Sequence, residues 1–337
     1  MPPEDAPSAT PSATPTVSVR GRWGKLALRL LISGVVLSIA LMLVDREQVL
    51  AGFRQLGVLD WVLALGAFLF LHAISALKWR FFVGLVGAHL PLTRALHCHA
   101  AGLFANLCLP SLIGGDVLRA GLALRSTDRR TALVVGSVVD RVADLAALLT
   151  VTTVGLMLAP WARERLGSQG SLIALAVVLL GGAVCGWLAL QFAFRRARRL
   201  PRKLGRKIVE VTRAVTIMRR NPSRAVGGYL VAVGLQSGFV LVNVALGTRI
   251  GLELPLELWF LLWPLAKIAA MVPLGFGGLG VREAAFFTLV QPFGDGALAV
   301  TESLIWQTVL IAGGLACGAV WTFWSPADSS SAADRAS

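Results

Sequence analysis

The sequence predicts an all-α polytopic membrane protein, with about eight transmembrane helices plus two broken re-entrant segments in a four-plus-four inverted repeat. Three observations carry this expectation. Hydrophobic residues make up 56% of the chain and charged residues only 15%, where a soluble domain carries about a quarter charged residues. Residues 171–194 form a run of 24 without a charge, enough to cross a hydrocarbon core of about 30 Å. A P-x-x-x-G-G-x-x-x-R motif occurs twice, at Pro110–Arg119 and Pro273–Arg282, offset by 163 residues, each time after an apolar run.

Residues 1–24 are rich in Pro, Ser, Thr and Ala and lack the charged and apolar regions of a signal peptide, so they read as a disordered tail. A single membrane domain follows over 25–325, with repeat one at about 25–160 and repeat two at about 171–325. Its spans fall near 26–44, 60–86, 95–109, 131–159, 171–194, 225–247, 256–272 and 297–324. The motifs follow the third and seventh spans, and the third is short for a full crossing. Adding 163 carries 60–86, 95–109 and 131–159 onto 223–249, 258–272 and 294–322, which overlay the sixth, seventh and eighth spans. Residues 326–337 read as a second disordered tail.

The net charge of +14 invites a nucleic-acid reading, but its distribution argues against one. Twelve of the 32 Lys and Arg lie between Arg195 and Arg224, directly after a span, as in a cytoplasmic membrane anchor. Within that stretch Leu204, Ile208, Val211, Val215 and Met218 recur every three or four residues. The pattern predicts an amphipathic linker helix over 200–221, lying on the cytoplasmic surface against anionic lipid. With both termini cytoplasmic and each motif turning the chain back, 24 of the 32 positive residues face the cytoplasm and five the outside. Arg141, Lys267 and Arg282 then remain in the membrane. The first motif returns the chain to the cytoplasm and the second returns it outward.

Candidate substrate-binding residues are those that do not belong in lipid without a reason. Gly114-Gly115 and Gly277-Gly278 let the backbone turn and approach a ligand. A backbone broken there must line a polar cavity or be buried in protein. The short helix after each break presents N–H groups to a phosphate or carboxylate, and Arg119 and Arg282 stand close enough along the chain to pair with the same anion. The plainer alternative pairs Asp116 with Arg119 and Arg282 with Glu283. Asp140, Arg141 and Asp144 sit inside the fourth span, where each charge costs about 2.5–3.5 kcal/mol on insertion scales. They read as substrate contacts, a proton relay or a structural ion-pair network. Glu302 and Gln307 lie in the counterpart span, and Lys267 is a candidate partner for one of the acids. His72, His97, His99 and Asn106 read as helix–helix hydrogen bonds, and Lys78-Trp79-Arg80 as an interfacial anchor. Cys98, Cys108, Cys185 and Cys317 lack metal or disulfide spacing and read as buried free thiols. Neither a metal site nor a cofactor motif is expected, since no Walker loop, nucleophile elbow or dinucleotide fingerprint occurs.

Asn106–Arg119, Val138-Val-Asp-Arg141 and Val272–Glu283, in this order, resemble the transmembrane region of the lysylphosphatidylglycerol synthases, a family that also covers stand-alone flippase-like membrane proteins. The resemblance extends over about 25–325 and implies a prokaryotic inner-membrane protein that moves a lipid between leaflets. In the bifunctional synthases a soluble aminoacyl-transferase domain follows; here the sequence ends about a dozen residues after the last span, and no synthase activity is expected. The function this implies is a flippase-like transporter for an anionic phospholipid, aminoacylated or not, or for a polyprenyl-linked lipid. A lipid-linked transferase using Asp116 or Asp140 as base stays open, as does an accessory subunit that recruits a glycosyltransferase or lipid synthase through the basic helix. Gly-rich faces such as Gly181-Gly182 suit packing within one protomer or in a homodimer.

Overall fold

The computed structural model describes residues 46–108, 114–162, 165, 216–217, 220–271 and 280–324. Among them it has nine α-helices and no strand: α1 (Arg46–Gln55), α2 (Val58–Leu85), α3 (Leu92–Cys108), α4 (Gly114–Ala123), α5 (Arg130–Leu158), α6 (Pro222–Arg249), α7 (Leu256–Ala270), α8 (Val281–Val290) and α9 (Gly296–Phe323). The spans expected near 26–44 and 171–194, and nearly all of the linker helix expected over 200–221, lie outside the described residues. So do Gly277, Gly278 and the start of each P-x-x-x-G-G motif.

Start and stop chemistry sets these elements. Pro222 opens α6 at a position where the missing N–H is no loss. The Asp295 carboxylate accepts from the Ala297 N–H at 2.7 Å and caps α9. The third expected span begins earlier than the apolar pattern suggests, at Leu92. Its polar first turn is secured because Arg94 Nε donates to Ser126 Oγ at 2.7 Å.

Three helices, α2, α6 and α9, are long and apolar enough to cross a membrane, each with 28 residues. α5 is as long, with 29 residues, but carries Arg130, Asp140, Arg141 and Asp144. The long helices turn apolar side chains outward: Val58, Leu59, Leu63 and Phe70 on α2, Val226 and Leu230 on α6, and Leu315 and Phe323 on α9 are exposed. An apolar exterior around polar residues is the arrangement lipid selects. Inside, Phe68, Phe239, Trp259, Trp263, Phe286 and Trp306 fill the largest core cluster.

α3 and α4 form an antiparallel hairpin, because Gly115 abuts Gly102 and Asn106 while Arg119, further along, reaches back to His99. A Cβ on Gly115 would overlap the Gly102 carbonyl and the Asn106 side chain, so close approach explains this glycine. α7 and α8 pack alongside each other, with Trp259 on Phe286 at 5.7 Å between ring centroids. Here Gly280 precedes α8 at φ 82°, a backbone conformation that glycine adopts without strain. α2 packs on α5, α6 and α9; α3 also packs on α9; α7 also packs on α5; and α6 packs on α5 and α9.

Candidate functional site

Three helices bring six charges together. α5 supplies Asp140, Arg141 and Asp144, with Asp140 and Asp144 one turn apart on one face. α2 supplies Lys78, and α4 supplies Asp116 and Arg119. Lys78 Nζ donates to Asp140 Oδ1 and to Asp144 Oδ1, both at 2.6 Å. The Arg119 guanidinium lies 3.3 Å from Asp140 Oδ2 and 3.3 Å from Asp116 Oδ1. Arg141 touches all three acids, at 3.4 Å to Asp116, 3.2 Å to Asp140 and 3.5 Å to Asp144. Three carboxylates against three cations leave the cluster formally neutral, which is what a low-dielectric interior requires.

Exposure separates these residues. Lys78 and Asp140 have no side-chain exposure and Arg119 only 3%, whereas Arg141 has 41%. Arg119 is further held by His99 Nδ1 at 3.1 Å and by the Trp79 ring, 4.3 Å from its guanidinium carbon. His99 Nε2 in turn meets His72 Nδ1 at 3.3 Å. Trp79 Nε1 donates to Ser137 Oγ at 2.9 Å, and the Gly115 N–H donates to Asn106 Oδ1 at 3.0 Å. One of the N–H groups at the α4 start is therefore already satisfied from within.

The second hairpin carries a smaller counterpart. Arg282 Nη2 donates to Glu283 Oε1 at 2.6 Å, to the Ser303 carbonyl at 2.8 Å and to Gln307 Oε1 at 3.1 Å, while Nε donates to Ser303 Oγ at 2.9 Å. Glu283 Oε2 accepts from the Gly280 N–H at 2.6 Å, fixing the α8 start. Arg282, Ser303 and Gln307 stand 163 residues after Arg119, Asp140 and Asp144. The plainer sequence alternative holds in both halves: Asp116 pairs with Arg119, and Glu283 with Arg282.

Lys267 corrects an expectation. It pairs with no acid among the described residues; its Nζ donates to Gln236 Oε1 at 2.9 Å and lies 5.3 Å from the Phe239 ring and 5.4 Å from the Trp263 ring. The aromatic faces and one amide oxygen hold the ammonium where one of the acids was expected. The reading of Lys78-Trp79-Arg80 as an interfacial anchor also fails for Lys78 and Trp79, which are buried. α2 runs on through Phe81, Phe82 and Val83, which places Lys78 inside the helix rather than at its end. His97 and Asn106 do make the interhelical bonds expected of them, with His97 Nε2 3.1 Å from the Trp321 carbonyl oxygen. Cys98 and Cys317 are buried free thiols. Gly114 begins α4 partly buried.

Long apolar helices, apolar outer faces and a neutralised charge cluster inside define a multi-pass helical membrane protein. The family model described as the lysylphosphatidylglycerol synthase TM region matches residues 26–318, and the chain belongs to that family. It is therefore a membrane protein of lipid metabolism or transport, and the region matched is the non-catalytic part of such a synthase. No curated protein and no solved structure matches the chain.

Proposed function

We propose that the protein is a flippase-like transporter of the inner membrane, moving a phosphate-bearing lipid between leaflets. One observation carries the reading: Lys267 is a cation within the helix core that forms an ion pair with no described carboxylate, while the six-charge cluster is neutral by itself. Lys267 feels the charges of Asp144, Arg141 and Arg282, and α7, which bears it, packs on α5, which bears Arg141. A lipid phosphate supplies the missing negative charge. Arg141, the exposed member of the cluster, and Lys267 are its contacts; Arg119 and Arg282 hold the acids that position the helices. Asp116 and Asp144, partly exposed beside Arg141, meet a cationic or sugar headgroup. The chain turns back within the membrane ahead of Gly114-Gly115, where α4 begins against α3.

The same reading takes the two halves as an inverted repeat. Exchanging α2 with α6, α3 with α7, α4 with α8 and α5 with α9 carries the packed pairs onto one another: α2–α5 onto α6–α9, α3–α9 onto α7–α5, and α2–α9 onto α6–α5. Gly155, against the backbone of Phe260 and Leu261 on α7, and Gly318, against the Phe104 ring on α3, are 163 apart and exchange in the same way. Rocking of one half against the other alternates access to a midplane site, as in transporters built from inverted repeats.

Proteoliposomes containing tail-labelled phosphatidylglycerol, its lysyl form or a polyprenyl phosphate test this. Each charge-assisted hydrogen bond is worth about 1.5–3 kcal/mol, so Arg141→Gln with Lys267→Gln should slow translocation about tenfold or more. Translocation by the double variant at the wild-type rate removes both residues from the mechanism. Absence of translocation by a folded wild-type protein favours the accessory role.

A further inference from the structure

Glu302 stands apart from every other acid in the interior. It is completely buried in α9, and neither carboxyl oxygen has a hydrogen-bond partner among the described residues. The adjacent Ser303 is held by Arg282, but that guanidinium is committed to Glu283, Ser303 and Gln307. Around Arg282 there are thus two carboxyl groups for one cation, in contrast to the balanced cluster of the first half. An ionised carboxylate with no donor in a dry interior is untenable by several kcal/mol, and one bound proton removes the imbalance.

The groups facing Glu302 are limited. Arg282 and Glu283 of α8 are the charges that act on it. On the helices packed against α9, Asp60 of α2 pairs with Arg249 of α6, Lys78 with its two aspartates, and His97 with a carbonyl oxygen. His72 and His99 meet each other, and α1 presents Gly52 to the neighbouring Thr301.

We propose that Glu302 is a proton-binding site, neutral in the resting protein, which on releasing its proton competes with Glu283 for the Arg282 guanidinium. The O–H bond of Glu302 breaks, the proton passes to water, and the new carboxylate draws Arg282 along α9 from Ser303. Glu283, which also caps α8 through the Gly280 N–H, loses its counterion. Proton release thereby loosens α8 from α9. Lipid movement is then coupled to proton release, a consequence that rests on the transport reading; the site itself does not.

Infrared difference spectroscopy of the full chain in lipid nanodiscs tests the site without any transport measurement. At neutral pH the wild type should show a protonated-carboxyl carbonyl band that Glu302→Gln lacks and Glu302→Asp shifts, and the band should disappear as pH rises. Superposable spectra of wild type and Glu302→Gln, with Glu302→Asp also unchanged, overturn the proposal. Glu302→Gln should denature at a temperature close to the wild type, because it replaces a neutral acid by a neutral amide of the same shape. A strongly destabilised Glu302→Gln variant with no such band in the wild type would identify an ionised, paired carboxylate instead. The band present in a protein that moves no lipid leaves the proton site standing and defeats the transport reading.

Discussion

Asp140 is the fully buried centre of the charge cluster, since Lys78, Arg119 and Arg141 all contact it. Asp140→Asn keeps its shape and strips the charge, leaving the three cations of the cluster with two carboxylates. Removing one partner of a buried pair costs about 3–5 kcal/mol, so this variant should denature in detergent well below the wild type. Wild-type stability would mean that the cluster is not the ionised network described. Lys267→Gln, by contrast, removes no carboxylate's partner and should leave stability nearly unchanged in the same measurement. The sequence announced Asp140, Arg141 and Asp144, because charges inside an apolar run have no bland explanation. It hid Lys78, because a lysine seven residues from the end of a long span looks the same whether it snorkels or turns inward. His99 carries no sequence signal for its role against Arg119, since the two meet through the fold of the hairpin.

At the scale of elements, the hairpins set the positions of both arginines. Gly115→Ala would push a methyl group into the Gly102 carbonyl and Asn106, and overpacking of this kind costs about 1–3 kcal/mol. Gly234→Ala, on a helix face with nothing within 4 Å, should be neutral or slightly stabilising. Thermal denaturation of the two variants side by side checks the contrast; equal effects would contradict the close contact of α3 with α4. The long helices were legible as apolar runs, and α3 and α7 as runs of 17 and 15 residues interrupted by the motifs. Helix ends were less legible. Leu92 starts α3 within a polar turn, which a bond from Arg94 to a distant serine helps to hold.

For the whole molecule, the proposed inverted repeat makes a topological prediction. Cysteines placed over 125–130 and over 288–296 should react with a membrane-impermeant reagent from opposite sides of the membrane, and labelling from the same side would contradict the repeat. The offset of 163 was readable because the motif and three spans share it. Pairing of helices between the halves was not, since no local pattern encodes which apolar face meets which. The substitution of Ser303 and Gln307 for two aspartates makes the halves chemically unequal, the cluster of one balanced by ion pairing and the Arg282 site of the other by the proton proposed on Glu302.

The central claim is that this membrane domain moves a phosphate-bearing lipid along its polar interior. The most direct measurement is the initial rate at which a tail-labelled phosphatidylglycerol or polyprenyl phosphate crosses proteoliposomes, compared with protein-free vesicles and with Arg141→Gln/Lys267→Gln. The expected result is a rate well above vesicle background for at least one of these lipids and a fall of about tenfold or more in the double variant. A background rate for every lipid, with the protein folded and the vesicles sealed, would contradict it.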